Sequence, residues 1–166
     1  MFAQAVIDSL EFARTEQTLH GNLRVSGLLR LQDSLQDAQG QVDVVVQGGK
    51  DGQRRPILRL DVTGALHLRC QRCLGRLDYP LRLSNTLLLV SGAEAESEEF
   101  DEMEADWIVA SAELDVAALI EDEIILSLPY APRHAEGQCE RGGARNLDDG
   151  AASQFAKLAV LKKDHH

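Results

Sequence analysis

The chain of 166 residues has only three cysteines, seven aromatic residues and no apolar run of membrane-spanning length. A spanning helix takes about 20 consecutive apolar residues, so no membrane partner is expected. An odd cysteine count this small excludes a disulfide scaffold. The N-terminal stretch MFAQAVIDSLEFA lacks the basic flank and apolar core of a signal peptide. These absences together point to a bacterial-type cytoplasm. Aromatics do not recur among the basic residues, where Tyr79 stands alone, which argues against base stacking as a binding mode. Also missing are an internal repeat, a phosphate-binding glycine loop, a G-x-S-x-G elbow and an H-E-x-x-H zinc motif. No enzyme is expected.

What is present suits one domain over residues 1–166. Apolar residues make up 44% and charged residues 27%, ordinary values for a globular chain of a size that buries a core. The net charge of −10 is unevenly spread. Eight basic residues fall between Lys50 and Arg82, and thirteen acids with no Lys or Arg fall between Ala93 and Glu123. Nucleic acid repels such a chain at long range, so any RNA contact has to come from the basic segment.

Asp8 and Glu11 read as a capping box opening a helix over 8–19. Residues 26–35 fit either a strand or a helix. QVDVVVQ (41–47) reads as a strand and GGKDGQ (48–53) as a turn. Residues 57–70 alternate, with Leu58, Leu60, Val62, Leu66, Leu68 and Cys70 on one face. Residues 77–89 alternate again, and Pro80 marks an edge or a bulge. The two strands flank CQRCLGR, which places a C-x-x-C at the tip of an antiparallel hairpin. Arg59, Arg69 and Arg82 then share its outer face, with Arg72 and Arg76 at the tip. Residues 93–106 form a solvated acidic linker. Residues 114–128 form a helix stopped by Pro129, with Glu121 near the middle of its apolar arc and Asp122 and Glu123 pointing away. Residues 130–150 read as a flexible loop, and 153–163 as a last amphipathic helix. The fold class is α+β: an antiparallel sheet with a C-x-x-C hairpin, packed by one long helix and short terminal helices.

Three readings compete for the cysteines. A closed zinc site takes four ligands, and Cys70, Cys73, His134 and Cys139 supply that number. The second pair has loose spacing and no turn signature. A metal-free hairpin is therefore the favoured reading, no cofactor is expected, and zinc is the alternative. A thiol redox pair acts best at a helix N-terminus, whereas this pair lies between strands. Glu121, unpaired on an apolar face, would cost several kcal/mol. It is expected to pair with an arginine of the sheet, with a role toward a partner, shared with Asp122 and Glu123, as the alternative.

The stretches LRCQRCLGRLDYPL, LIEDEIILSLPYAPRH…C and FAKLAVLKK occur in order along most of the chain. They resemble the YceD family of bacterial large ribosomal RNA subunit accumulation proteins. The resemblance implies ribosome biogenesis, no enzymatic activity, and membership of a group described as metal-binding and nucleic-acid-binding. Other branches carry a pattern like C-P-x-C-G-x-N after the helix. Here the stretch reads CERGGARN, with Cys139 kept and Gly142 in the second cysteine's place, which leaves His134 to complete a ligand set. The implied function is a non-catalytic factor supporting accumulation or processing of large-subunit (23S) rRNA. Its partners would be that rRNA or ribosome-assembly intermediates, met through Arg59, Arg69, Arg72, Arg76 and Arg82, or ribosomal and assembly proteins already bound there. The alternative is a protein-interaction adaptor that uses acidic residues 94–106 and never touches RNA.

Overall fold

The computed structural model describes residues 5–96 and 105–139. Among them a five-stranded sheet runs in the order β2 (Thr18–Arg24), β3 (Gln41–Lys50), β4 (Pro56–Arg69), β5 (Arg76–Val90), β6 (Trp107–Val109). The first four strands are antiparallel, and β6 lies parallel to the end of β5. A two-stranded ladder joins β1 (Val6–Ile7) to β7 (Leu114–Asp115). It sets the start of α1 (Ser9–Arg14) beside the start of the long helix α3 (Val116–Ser127). The fold is α+β, with a mostly antiparallel sheet and few helices, and none of the described helices is long and apolar enough to cross a membrane.

Alternation explains the sheet. Leu58, Leu60, Val62, Leu66, Leu68 and Cys70 of the β4 segment are all fully buried. The five aliphatic residues among them join Val42, Val44 and Val46 of β3 and Leu81 and Leu87 of β5 in one core. Phe12, Val25, Leu31, Val116, Ile120 and Ile124 close that core from above. Helix α1 lies so close to β3 that a β-carbon at Gly48 would sit 2.3 Å from the Phe12 carbonyl oxygen, so only glycine fits there. Pro80 lies on the stretch of β5 whose second edge has no strand partner among the described residues, since β6 pairs with Leu88–Val90.

Several expectations are corrected. The first helix ends at Arg14, because Glu16 takes a left-handed φ of 52° and turns the chain into β2. Asp8 caps it by accepting the Glu11 N–H, but the Glu11 carboxylate pairs with Arg14 instead of closing the box. Residues 26–35 contain 3-10 turns over Val25–Gly27 and Arg30–Ser34. β3 extends through Gly48 and Gly49 to Lys50, and the turn follows it. Residues 93–95 are not linker: Ser91 and Glu94 form a reciprocal capping box on α2 (Gly92–Ala95). Ala95 and Trp107 pack on Ile57, Leu88 and Val90, so the outer face of the hairpin is apolar at its base. Residues 97–104, the rest of the loop beyond Cys139 and the helix expected at 153–163 lie outside the described residues.

Helix α3 also sits differently. Asp115 caps it, accepting the Ala117 and Ala118 N–H groups. The buried stripe runs through Val116, Leu119, Ile120, Glu123 and Ile124, at helical spacing, with Glu121 beside it. Glu123 therefore points inward, contrary to expectation. It can do so because Asn85, on the inner face of β5, donates to its carboxylate at 2.8 Å.

Candidate functional site

Strands β4 and β5 pair without interruption down to Arg69↔Arg76, and residues 70–75 connect them. The connection is tight. The Cys70 N–H donates to the Gly75 carbonyl and the Leu74 N–H to the Cys70 carbonyl, each at 2.9 Å. Leu74 takes a φ of 60° to close the turn. The Arg72 N–H points back at the Cys70 sulfur, 3.4 Å away. Cys70 ends the buried face of β4, and Cys73 is half-buried.

The chain leaving α3 runs back over this turn. The Gln71 N–H donates to the Pro132 carbonyl at 2.8 Å. His134 Nε2 lies 2.9 Å from the Arg76 carbonyl oxygen. A carbonyl only accepts, so Nε2 carries the proton and Nδ1 is left with its lone pair. That Nδ1 faces Cys73 Sγ at 3.4 Å and Cys139 Sγ at 3.8 Å. Gly137, with a φ of 80°, supplies the turn that brings Cys139 back, and its sulfur lies 3.9 Å from that of Cys70. All four donor atoms lie within 4.8 Å of one another.

This donor set fits zinc. With Zn–S near 2.3 Å and Zn–N near 2.0 Å, a tetrahedral ion holds its donors roughly 3.5–3.8 Å apart. Three of the six donor separations, 3.4, 3.8 and 3.9 Å, match that spacing, and the others stay within 4.8 Å. The Arg76 carbonyl orients the imidazole as a backbone group commonly does for a metal-bound histidine. The electrostatics agree. The Cys73 backbone N–H above all, with those of His134 and Arg72, holds the Cys70 thiol down to about 5 against the opposing effect of burial. Burial first, and then the sulfurs of Cys73 and Cys70, push the Cys139 thiol up. Three converging sulfurs resist carrying three negative charges unaided, and a cation among them removes that conflict. Four protein donors leave no open position, so the arrangement suits a structural ion and not a catalytic one.

The basic residues spread along the outer hairpin face. Arg59, Arg69, Arg72 and Arg82 are exposed. None of the four has an ion-pair partner among the described residues. Arg59 and Arg69 are ten residues apart on one strand, a span of about 33 Å. Arg76 differs, because its guanidinium donates to Asp78 at 2.8 Å and also contacts the His67 ring. His67 in turn lies 2.7 Å from Asp37, so Arg76 is engaged in a polar cluster within the chain. Asp43 and Asp61 share the outer face by alternation, so the face is not uniformly positive.

The acids of α3 have separate fates. Glu121 is buried, and its partner comes from the 3-10 turn below the helix, not from the sheet. One carboxylate oxygen accepts the N–H groups of Arg30 (2.6 Å) and Leu31 (3.1 Å), while the other lies 3.2 Å from the Arg30 Nε. Asp122 is exposed and pairs with the same guanidinium. Glu123 meets Asn85. All three are thus engaged within the chain.

Residues 58–162 match the family model described as large ribosomal RNA subunit accumulation protein YceD, a span containing the hairpin, α3 and all four candidate metal ligands. The large ribosomal RNA subunit accumulation protein YceD of Haemophilus influenzae is 25% identical over 164 residues, covering 95% of this chain and 94% of that relative. No solved structure matches the chain with significance.

Proposed function

Because the chain belongs to the YceD family, named for accumulation of the large ribosomal RNA subunit, we propose that it is a non-catalytic factor supporting accumulation of large-subunit rRNA. It contacts the RNA directly, with the outer face and tip of the β4–β5 hairpin. The observation that carries this reading is the set of four exposed arginines, Arg59, Arg69, Arg72 and Arg82, without partners among the described residues. Guanidinium groups spaced along a strand suit phosphates, which position an RNA without reading its sequence. Arg76 is withdrawn from this set by Asp78 and Asp37. We further infer that Cys70, Cys73, His134 and Cys139 hold a structural zinc ion that fastens residues 132–139 to the hairpin tip. The ion supplies rigidity only, and Arg72 projects from the turn that it fixes.

A titration of wild-type and Arg69→Gln/Arg72→Gln/Arg82→Gln protein against structured rRNA fragments at two salt concentrations tests the RNA contact. Each lost phosphate contact should lower the salt slope by roughly 0.7–0.9. The triple variant should bind more weakly, by a similar factor for unrelated sequences, and should keep its fold because these side chains point away from the core. Identical curves for the two proteins, or no wild-type binding at low salt, would leave the adaptor reading in place of this one.

A further inference from the structure

Tyr130 is fully exposed, at 104% of its reference area, whereas Phe12 is buried and Tyr79 and Trp107 are half-buried. A tyrosine in a folded chain ordinarily hides much of its ring. Its backbone is nonetheless held in place. Pro129 and Pro132 bracket it, and the Gln71 N–H fastens Pro132 to the hairpin tip at 2.8 Å. A cavity of about 130 Å³ at its side is lined by Leu68, Gln71, Leu128, Pro132 and Asp33. Gln71 directly precedes Arg72 in the hairpin turn, and Arg133 follows three residues after the tyrosine. Both arginines are exposed. An aromatic ring far away in sequence thus stands beside the basic tip.

Resting on the RNA reading above, we propose that Tyr130 is a stacking platform for one unpaired nucleobase, with the phosphates flanking that base held by Arg72 and Arg133. Aromatic faces accept any base, because every base has a π-face, and guanidinium groups at the rim hold the backbone that presents it. The proline-bracketed backbone that displays the ring loses little freedom on binding. The platform makes the surface selective for single-stranded or looped RNA over duplex, where bases are already stacked on one another. Phosphate contacts alone do not supply that preference.

The test uses the full chain and two RNAs with equal numbers of phosphates, a hairpin with an unpaired loop and a continuous duplex. Tyr130→Ala should weaken binding to the looped RNA roughly tenfold, the size of change seen when a stacking aromatic is removed. Binding to the duplex and the salt slope should not move. Tyr130→Phe should bind like the wild type, because the ring carries the contact. Folding of both variants is checked by circular dichroism. Wild-type affinity of Tyr130→Ala for the looped RNA, equal losses on both RNAs, or a Tyr130→Phe variant as weak as Tyr130→Ala would each overturn the platform while leaving the arginine contact standing. A wild-type chain that binds neither RNA would overturn both.

Discussion

Purified protein should contain about one zinc per chain, and removing it should lower stability by about 4 kcal/mol, roughly 10 °C in melting temperature. Metal sites contribute directly to folding where the ligands come from separated segments, and here they do. Cys70 and Cys73 sit in the β4–β5 turn, whereas His134 and Cys139 arrive after α3. The described tie between these segments other than the ligands and the Arg76 carbonyl is the hydrogen bond from Gln71 to Pro132. Cys73→Ser makes the sharpest variant. The Cys73 thiol is half-buried and its partner is His134. Without an ion, an oxygen in place of that sulfur would change stability by about 0.5 kcal/mol or less, as at an ordinary surface position. With one, the variant should lose most of the zinc and melt close to the metal-free protein. Metal analysis and melting curves with and without chelator decide the matter. No zinc, together with melting curves that chelator leaves unchanged, would return the site to the metal-free hairpin that the sequence favours.

Glu121→Ala should cost about 3 kcal/mol. The carboxylate closes the start of the Arg30–Ser34 turn by accepting two backbone N–H groups, one of which belongs to the fully buried Leu31. Alanine leaves that donor buried without an acceptor, a penalty of about 1–3 kcal/mol, and removes charge-assisted bonds as well. The Arg30 side chain is half exposed, so it recovers hydration and the loss stays below that of a fully buried ion pair. Glu123→Ala should cost about 1 kcal/mol, since Asn85 keeps a second carboxylate acceptor in Asp106 at 3.0 Å. Asp122→Ala should cost about 0.5 kcal/mol or less, because its pair with Arg30 is solvated. Urea unfolding of the three variants checks the order. Small and equal effects at Glu121 and Asp122 would mean that Glu121 does not brace the turn beneath α3.

Strands β4 and β5 are legible in the sequence because one face of each is buried, and burial on one face forces alternation. The same rule hides Ile57, Leu88 and Val90. They belong to the outward set, and their burial depends on α2 and Trp107, which are distant or short. The end of α1 at Arg14 has no marker, since Glu16 is a residue that rarely takes a left-handed φ. Burial of Glu123 depends on Asn85, a contact across 38 residues that no local pattern announces. The candidate metal ligands are a mixed case. Cys70 and Cys73 form a recognisable pair, but His134 and Cys139 have a loose spacing with no pattern of their own. Gly137 was the available signal: a glycine between them supplies the left-handed turn that folds Cys139 back onto His134. Tyr130 was hidden for a different reason. The basic run and the aromatic are brought together by tertiary contacts such as the bond between Gln71 and Pro132, which no local pattern announces.

Direct contact with large-subunit rRNA is tested most plainly by UV cross-linking of the full chain in living cells, with sequencing of the attached RNA and sedimentation of the protein on gradients. Direct contact through the hairpin predicts adducts concentrated in 23S rRNA and co-sedimentation with large-subunit precursors. It also predicts that the Arg69→Gln/Arg72→Gln/Arg82→Gln chain, still folded, loses both. Adducts absent from 23S rRNA, or present at the same level in the triple variant, would contradict it.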